Sequence, residues 1–272
     1  MASESRESYA AAVDELTANT GKATAAQLAT VADEILSVAG LLRTEPRLRR
    51  ALTDPSRVRA DRVGLLRALL ADKLGEPALA ALSTLVAGRW GRPLDLLDAV
   101  ERLGVDTLLR AADKAGDLAD IEDELFRFGQ IVAGSDELAV TLSDPGASIN
   151  RRVKLVTDLL KGKARPTTLR LVEVALEGFG GRSFEFALTR LVELTAAKRD
   201  REVAYVTVAK PLGDAEEQRL SAKLSDMYGR QVSLKVDVDP SVIGGVSVRV
   251  GSDLYDGTIL RRLTEAKQAF AQ

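Results

Sequence analysis

The chain has 272 residues, of which 46% are hydrophobic, 4% aromatic and 29% charged, and its formal net charge is −2. This length allows two or three packed domains, and the scarcity of aromatic residues predicts a core of Leu, Val and Ala, a composition that favours helices. The balanced charge gives no global reason to expect binding to nucleic acid or to an acidic membrane surface.

The sequence contains neither cysteine nor histidine. Disulfides and thiol chemistry are therefore excluded, and the commonest transition-metal ligand is missing. We expect no catalytic residue, no cofactor and no metal site. No run approaches the ~18 apolar residues of a membrane span, and the first residues lack the order of a signal peptide. The sequence thus predicts a cytoplasmic protein that reaches a membrane only through partners.

Helical periodicity extends over most of the chain. Apolar residues at intervals of three and four predict helices over about 8–17, 24–42, 59–74, 77–87, 94–112 and 184–198. Asp54-Pro55 interrupts this pattern, because proline disfavours a helical conformation in the residue before it.

A shift of 90 residues aligns two parts of the helical region without a gap. The shared features are six apolar helix positions, an Asp-Pro break and a Gly-Arg turn, at 28–42, 54–55 and 91–92 in the first copy and at 118–132, 144–145 and 181–182 in the second. Self-similarity at a fixed period indicates a duplicated module. We predict a first helical module over 1–110 and a second over 95–200, which share the helix near 94–112.

The pattern changes after Arg199-Asp200-Arg201. Alternating or β-branched residues predict strands over 203–209, 231–238 and 246–250, with a helix near 215–228 and a closing helix after Asp256. Residues 201–272 therefore read as a small α+β domain with the order β-α-β-β-α. The predicted fold class is mainly α, with two tandem α-helical bundle modules followed by this domain.

The segment 239–263 contains a distinctive set of residues: Asp239, Pro240, Ile243, Gly244, Gly245, Gly251, Asp256, Gly257 and Leu263. In these residues the segment resembles the C-terminal signature of the delta subunit of F-type ATP synthases, the family of the mitochondrial oligomycin-sensitivity-conferring protein. We interpret them as structural. The opening segment resembles the N-terminal helical domain of the same family, and the extra helical module resembles the long form of actinobacterial members.

The resemblance implies a non-catalytic peripheral-stalk protein at the cytoplasmic face of the cell membrane. Such a protein links the catalytic head to the membrane-anchored b subunits and resists rotary torque. The implied partners are the N-terminal helices of the alpha subunits and the b subunits. Tyr9, Val13 and Leu16 are candidates for the head-facing groove, and Trp90 either packs the end of its module or anchors a partner helix.

Three local features have other interpretations. The glycines at 244, 245 and 251 could form a phosphate loop, but neither standard glycine motif is present, so turns and close packing explain them better. The arginine-rich segment 43–67 could bind phosphates, yet it has no aromatic residue to stack a base, and an exposed or subunit-facing helix surface is favoured. The acidic cluster 120–124 is explained by the dipole of a helix start.

Two other functions remain open from the residues alone. One is a tandem-helical scaffold that binds other client proteins, and the other is a nucleic-acid-binding module that uses segment 43–67.

Overall fold

The computed structural model describes residues 3–144, 146–199, 201–229, 231–240, 242, 244–250 and 253–259. In this part of the chain the helices are α1 (Ser3–Thr20), α2 (Ala25–Thr44), α3 (Pro46–Thr53), α4 (Arg59–Leu70), α5 (Glu76–Ala87), α6 (Pro93–Ala115), α7 (Leu118–Ala133), α8 (Asp136–Ser143), α9 (Ile149–Leu160), α10 (Pro166–Leu176), α11 (Phe184–Lys198) and α12 (Asp214–Tyr228). A 3-10 turn (Phe179–Gly181) lies between α10 and α11. The strands are β1 (Arg201–Val208), β2 (Gln231–Val238), β3 (Val246–Val250) and β4 (Asp253–Asp256). The predicted fold class, mainly α with a small α+β domain, is confirmed. The predicted closing helix beyond Ile259 lies outside the described residues.

Local sequence explains where several helices begin and end. Thr24 and Gln27 form a reciprocal cap at the start of α2, with hydrogen bonds of 3.2 and 2.8 Å between side chain and backbone. Proline begins α3, α6 and α10, a position where its missing N–H costs nothing. Gly116 adopts a left-handed conformation after α6 and so terminates that helix.

The helix boundaries repeat with the period found in the sequence. Helices α3 and α4 begin and end 90 residues before α8 and α9, and α5 begins 90 residues before α10. Helix α6 starts 90 residues after α1, so it occupies the first-helix position of the second copy while closing the first. The buried positions repeat as well, since Leu52 and Leu142 are both fully buried.

An arginine that is buried in the first copy and partly buried in the second occurs at the same place in both copies. Arg62 of α4 donates hydrogen bonds to the carbonyl oxygens of Ala87 and Gly88, at the end of α5. Its counterpart in α9, Arg152, donates to the carbonyl oxygens of Leu142 and Leu176. In both copies the charged side chain satisfies helix carbonyls that lack a partner within their own helix. The 90-residue period therefore includes an arginine that contacts the end of the following helix, although the individual acceptors differ.

The chain divides into two compact units, 1–117 with 137–188, and 118–136 with 189–272. These units group the helices differently from the three predicted segments, 1–110, 95–200 and 201–272. Helix α7 and most of α11 belong with the sheet, whereas α8, α9 and α10 belong with α1–α6.

The core of the first unit is built almost entirely from Leu, Ala and Val. Helix α2 contributes eight buried side chains to it, which explains why that helix is apolar. By length and composition alone α2 could cross a membrane. Its buried face instead packs within the bundle core, as expected of a core helix.

The second unit contains a four-stranded sheet in the order β2-β1-β3-β4. Strands β1 and β2 are parallel and are connected by α12, whereas β3 pairs antiparallel with both β1 and β4. Alternate residues form one apolar face, where Val206 of β1, Val232 of β2 and Val248 of β3 pack with Leu224 of α12. The opposite face carries polar side chains.

Candidate interaction surfaces

The predicted head-facing residues of α1 lie in different environments. The hydroxyl of Tyr9 donates a hydrogen bond to Asp106 of α6, and Arg102 lies over its ring at 5.1 Å. Burial, and then the charge of Asp106, raise the pKa of Tyr9. Val13 is half-buried against the bundle core, whereas Leu16 is only 1% exposed and forms part of that core. The free surface of α1 is therefore formed by its other residues.

Helix α1 offers a surface that its counterpart lacks. Ala10 and Ala11 on α1 are exposed. The α6 positions that correspond to Tyr9 and Val13 are Ala99 and Leu103, and both are buried within the first unit. Of the two equivalent helices, α1 thus has the more accessible face.

Trp90 lies in the turn between α5 and α6. Its indole Nε1 donates a hydrogen bond of 2.8 Å to the carbonyl oxygen of Leu85, and the ring packs against the first core while remaining partly exposed. The structure therefore supports packing at the end of the module, and the exposed part of the ring leaves a role as a partner anchor as a prediction.

The glycines of the C-terminal signature permit close approach between two backbone segments. Gly245 has φ +87°, and a Cβ atom there would collide with the carbonyl oxygen of Gly257 and lie 2.9 Å from the Cα atom of Thr258. The amide of Ile259 donates to the Gly244 oxygen, and the amide of Gly257 donates to the Val246 oxygen, each at 2.9 Å. These contacts explain the two adjacent glycines as packing residues.

The other described residues of this signature form turns. The amide of Asp239 donates to the carbonyl oxygen of Val208, and Pro240 follows in the turn after β2. Asp256 accepts a hydrogen bond of 3.0 Å from the amide of Thr258. Ile243, Gly251 and Leu263 lie outside the described residues.

The arginines of segment 43–67 make many contacts within the protein. Arg43 pairs with Glu101 and Glu177, and Arg62 is buried against the end of α5. Arg49 donates to the Leu42 carbonyl oxygen at 2.6 Å, and Arg67 lies 3.5 Å from Glu76. Much of the local positive charge is thus engaged by the fold itself, which reduces the case for a phosphate-binding surface.

The acidic cluster of α7 contains a residue whose role the helix dipole does not explain. Glu122 is fully buried and pairs with Arg199 at 2.5 Å and with Lys235 of β2 at 3.3 Å. Ser233 of β2 also donates a hydrogen bond of 2.8 Å to it. Sequence reasoning missed this residue, because its partners lie 77 and 111 residues away.

Helix α7 lies along β2, and every fourth residue of the helix contacts every second residue of the strand. Residues Glu122, Phe126 and Gln130 are spaced by four along the helix, and their partners Ser233, Lys235 and Asp237 are spaced by two along the strand. Side chains at these spacings share one face of a helix and one face of a strand. One face of α7, polar except for Phe126, therefore lies along β2 on the polar face of the sheet.

An aromatic pair completes this interface. The rings of Phe126 and Tyr205 lie 6.3 Å apart, Lys235 lies over the Phe126 ring, and the Arg249 guanidinium lies 4.7 Å over that of Tyr205. Burial raises the pKa of Tyr205.

Exposed apolar side chains occur in both units. In the second unit they are found on α7, α12, β2 and β4 and at the described end of the chain: Ile131, Met227, Val238, Leu254, Tyr255 and Ile259. In the first unit they include Val58, Leu69 and Leu94. Leu254 is 62% exposed, so its side chain gains little from the fold and is available to a partner.

The described residues contain no group of three or more acidic side chains placed to hold a metal ion. What they present is a mainly helical bundle with a small mixed sheet, and surfaces suited to contacts between proteins. These features are those of a mainly helical protein that binds other proteins.

Comparison with known proteins gives the family. A family model described as "ATP synthase delta (OSCP) subunit" matches residues 105–270. The chain is 63% identical over 272 residues to "ATP synthase subunit delta" of Salinispora arenicola, covering 100% of this chain and 99% of the relative. It is 44% identical over 271 residues to the protein of the same name from Streptomyces griseus, covering 100% of both. The chain belongs to the ATP synthase delta (OSCP) subunit family, and the resemblance seen in the sequence is confirmed.

A chain in a structure of the Toxoplasma gondii mitochondrial ATP synthase hexamer is 21% identical, with a TM-score of 0.34, and the match covers 63% of this chain and 97% of that chain. The family model begins within α6, so the residues before position 105, which include most of the first helical copy, lie outside its range.

Proposed function

We propose that this chain is a non-catalytic peripheral-stalk subunit of an F-type ATP synthase. It would link the catalytic head to the b subunits at the cytoplasmic face of the cell membrane, and would reach the membrane only through these partners. The observation that carries the proposal is the 63% identity, across the whole chain, to a protein named ATP synthase subunit delta.

The architecture suits a mechanical role. A stator must transmit torque without deforming, which requires continuous packing, and protein interiors packed at crystal-like density deform little. The first unit has a contiguous core of Leu, Ala and Val, and α7 is fixed to the sheet by a buried ionic cluster. The absence of histidine and cysteine from the sequence also fits a protein without a reactive centre.

On the head side, we infer that α1 of the first copy docks the N-terminal helices of the alpha subunits. The support is its accessible face, with small exposed residues such as Ala10 and Ala11, beside the half-buried Tyr9 and Val13. Small side chains let two helices approach closely. The equivalent positions on α6 are covered by the protein's own helices.

On the membrane side, we infer that the second unit binds the b subunits. The support is the set of apolar side chains that this unit leaves exposed, among them Met227, Leu254 and Tyr255. A helix that buried them would gain free energy from the hydrophobic effect.

Full-length variants test both assignments. Ala11→Arg places a long charged side chain on the exposed face of α1 without disturbing the core, and Ala68→Arg makes the same change on exposed α4 as its control. Leu254→Arg likewise places a charged side chain on the exposed surface of β4, and Ala215→Arg at an exposed position of α12 is its control. Each protein is assayed for binding to the purified head and to the purified b subunit.

We expect Ala11→Arg to weaken binding to the head alone and Leu254→Arg to weaken binding to b alone. Point variants are preferable to deletion of 201–272, since a deletion would remove Ser233 and Lys235, two of the three partners of Glu122, and expose a charged helix face. If wild-type protein binds neither component, the proposed function is wrong. If the two variants exchange their effects, the two surfaces are assigned in reverse.

A further inference from the structure

One arginine connects the two helical copies within the first unit. Arg43 of α2 donates through Nη2 to Glu101 of α6 at 2.6 Å and through Nη1 to Glu177, at the end of α10, at 2.5 Å. The other oxygen of Glu101 accepts a hydrogen bond of 2.8 Å from the amide of Gly180 in the 3-10 turn. Glu101 is only 2% exposed, whereas Arg43 and Glu177 are 26% and 30% exposed, so the contact extends from the interior of the unit to its surface.

A second ion pair connects the same two copies. Arg170 of α10 donates to Asp33 of α2 at 2.8 Å and is held by Glu173 of its own helix at 3.1 Å. The second copy is therefore joined to α2 of the first by ion pairs of two arginines, and each copy contributes one of these arginines.

The residues that make the Arg43 contact are those in which the copies differ. A shift of 90 residues places Ala133 opposite Arg43, Leu191 opposite Glu101, Ala87 opposite Glu177 and Trp90 opposite Gly180. By contrast, Arg62 and Arg152 stand at equivalent positions, and each donates to a carbonyl oxygen at the end of the following helix. Gly180 has φ +63°, a left-handed conformation that a tryptophan would adopt only under strain.

We propose that Arg43, Glu101 and Glu177 form an ionic latch that fixes α10 and its following turn to the first bundle, so that these parts of the first unit act as one rigid body. Breaking such a latch leaves a buried carboxylate without its cation, which is far more costly than losing an exposed pair. The inference concerns the isolated chain and does not depend on the proposed partners.

Hydrogen exchange of the full-length protein tests the latch. In Arg43→Met we expect the amides of 166–181 to exchange about tenfold faster or more, because the variant loses hydrogen bonds between charged groups, which stabilise more than bonds between neutral ones. Glu177→Gln removes only the second-copy partner, which is 30% exposed, and should accelerate the same amides by a smaller factor. In the double variant the amides of 166–181 should exchange no faster than in Arg43→Met, since Arg43→Met already removes the contact with Glu177.

Two comparisons make the result specific. Amides of 59–87 within the first bundle should keep their wild-type rates in Glu177→Gln. Arg67→Met, which breaks the exposed Arg67–Glu76 pair, should leave 166–181 unchanged. Unchanged exchange of 166–181 in Glu177→Gln would overturn the proposal even if Arg43→Met failed to fold. Equal acceleration of 59–87 and 166–181 would overturn it as well, because it would show general destabilisation.

Discussion

Glu122 of α7 and Lys235 of β2 form an ion pair of 3.3 Å in which the carboxylate is fully buried and the lysine side chain is 8% exposed. Arg199, just after α11, binds the same carboxylate from a third element. Two cations and one hydroxyl bind this carboxylate. The buried charge is therefore compensated only when α7, the end of α11 and the sheet are packed together.

Glu122→Gln should therefore strongly destabilise the second unit. The substitution preserves shape but leaves Lys235 and Arg199 without their common anion. Breaking a buried pair from one side typically costs about 3–5 kcal/mol. The measurement is chemical unfolding followed by circular dichroism.

Asp123→Asn is the matched control, since Asp123 is the neighbouring acid and lies 3.8 Å from Lys235, but its side chain is 45% exposed. We expect it to cost less than about 1 kcal/mol. Equal effects of the two substitutions would show that general negative charge on α7 is what matters, and not the buried contact.

Sequence periodicity predicted the parts of the fold that depend on neighbouring residues. Most of the apolar positions that defined the repeat, such as Ile35 and Leu125, are buried, although Ile131 is 58% exposed, and the three predicted strands are present. The short strand β4 was not predicted. Two of its residues, Leu254 and Tyr255, are exposed apolar side chains, so its pattern lacks the alternation of a strand with one buried face.

Contacts between distant residues were beyond the reach of local patterns. Glu122 was interpreted as one member of an acidic helix start, and Arg43 as one of several arginines on a surface. Both are buried or partly buried ion-pair residues, with partners from 58 to 134 residues away. The signal that could have identified Arg43 was its difference from Ala133, the residue at the equivalent position of the second copy.

Gly245→Ala tests the packing role of the C-terminal glycines. The added methyl group would collide with the Gly257 carbonyl oxygen in a left-handed conformation, so both sterics and backbone strain oppose it. We expect loss of the native fold of the second unit, or destabilisation beyond about 3 kcal/mol from overpacking and strain together. Thermal unfolding measured by circular dichroism gives the answer.

Gly229→Ala separates these two effects, because Gly229 also has positive φ, +67°, but no atom lies within 4 Å of the position that its methyl group would take. Gly229→Ala should lower the free energy of unfolding by only about 1–2 kcal/mol, which is the cost of the left-handed backbone conformation alone. If both variants lose the same stability, close approach to Gly257 is unimportant.

Leu52→Ala and Leu142→Ala test the structural equivalence of the two copies. Both leucines are fully buried at the same position of the repeat. Each substitution should cost about 2–5 kcal/mol, through lost burial and the cavity left behind. Leu69→Ala, at a 45% exposed site of the first copy, should cost less than about 1 kcal/mol. Denaturant titration followed by Trp90 fluorescence reports on the unit that contains all three, and a negligible effect of Leu142→Ala alone would argue against equivalent packing.

Glu101 should give the latch a characteristic pH dependence. Burial raises the pKa of Glu101, while the Gly180 amide and Arg43 lower it and Asp98 raises it further, with a net increase. The folded state therefore retains a proton at a pH where the unfolded chain, with an ordinary pKa of about 4.3, has released it. The free energy of unfolding contributed by this group must fall as pH rises from that ordinary value through the folded pKa, and remain lower above it.

Glu101→Gln isolates this contribution, since glutamine does not titrate. We expect the free energy of unfolding of the wild type, relative to the variant, to decrease as the pH rises from the ordinary pKa of about 4.3 through the higher pKa of the folded state. Trp90 fluorescence during urea titration at each pH provides the measurement. An increase over this range would mean that the attraction of Arg43 outweighs burial. A decrease would mean that the latch selects one arrangement of the copies while costing net stability, as buried ion pairs often do.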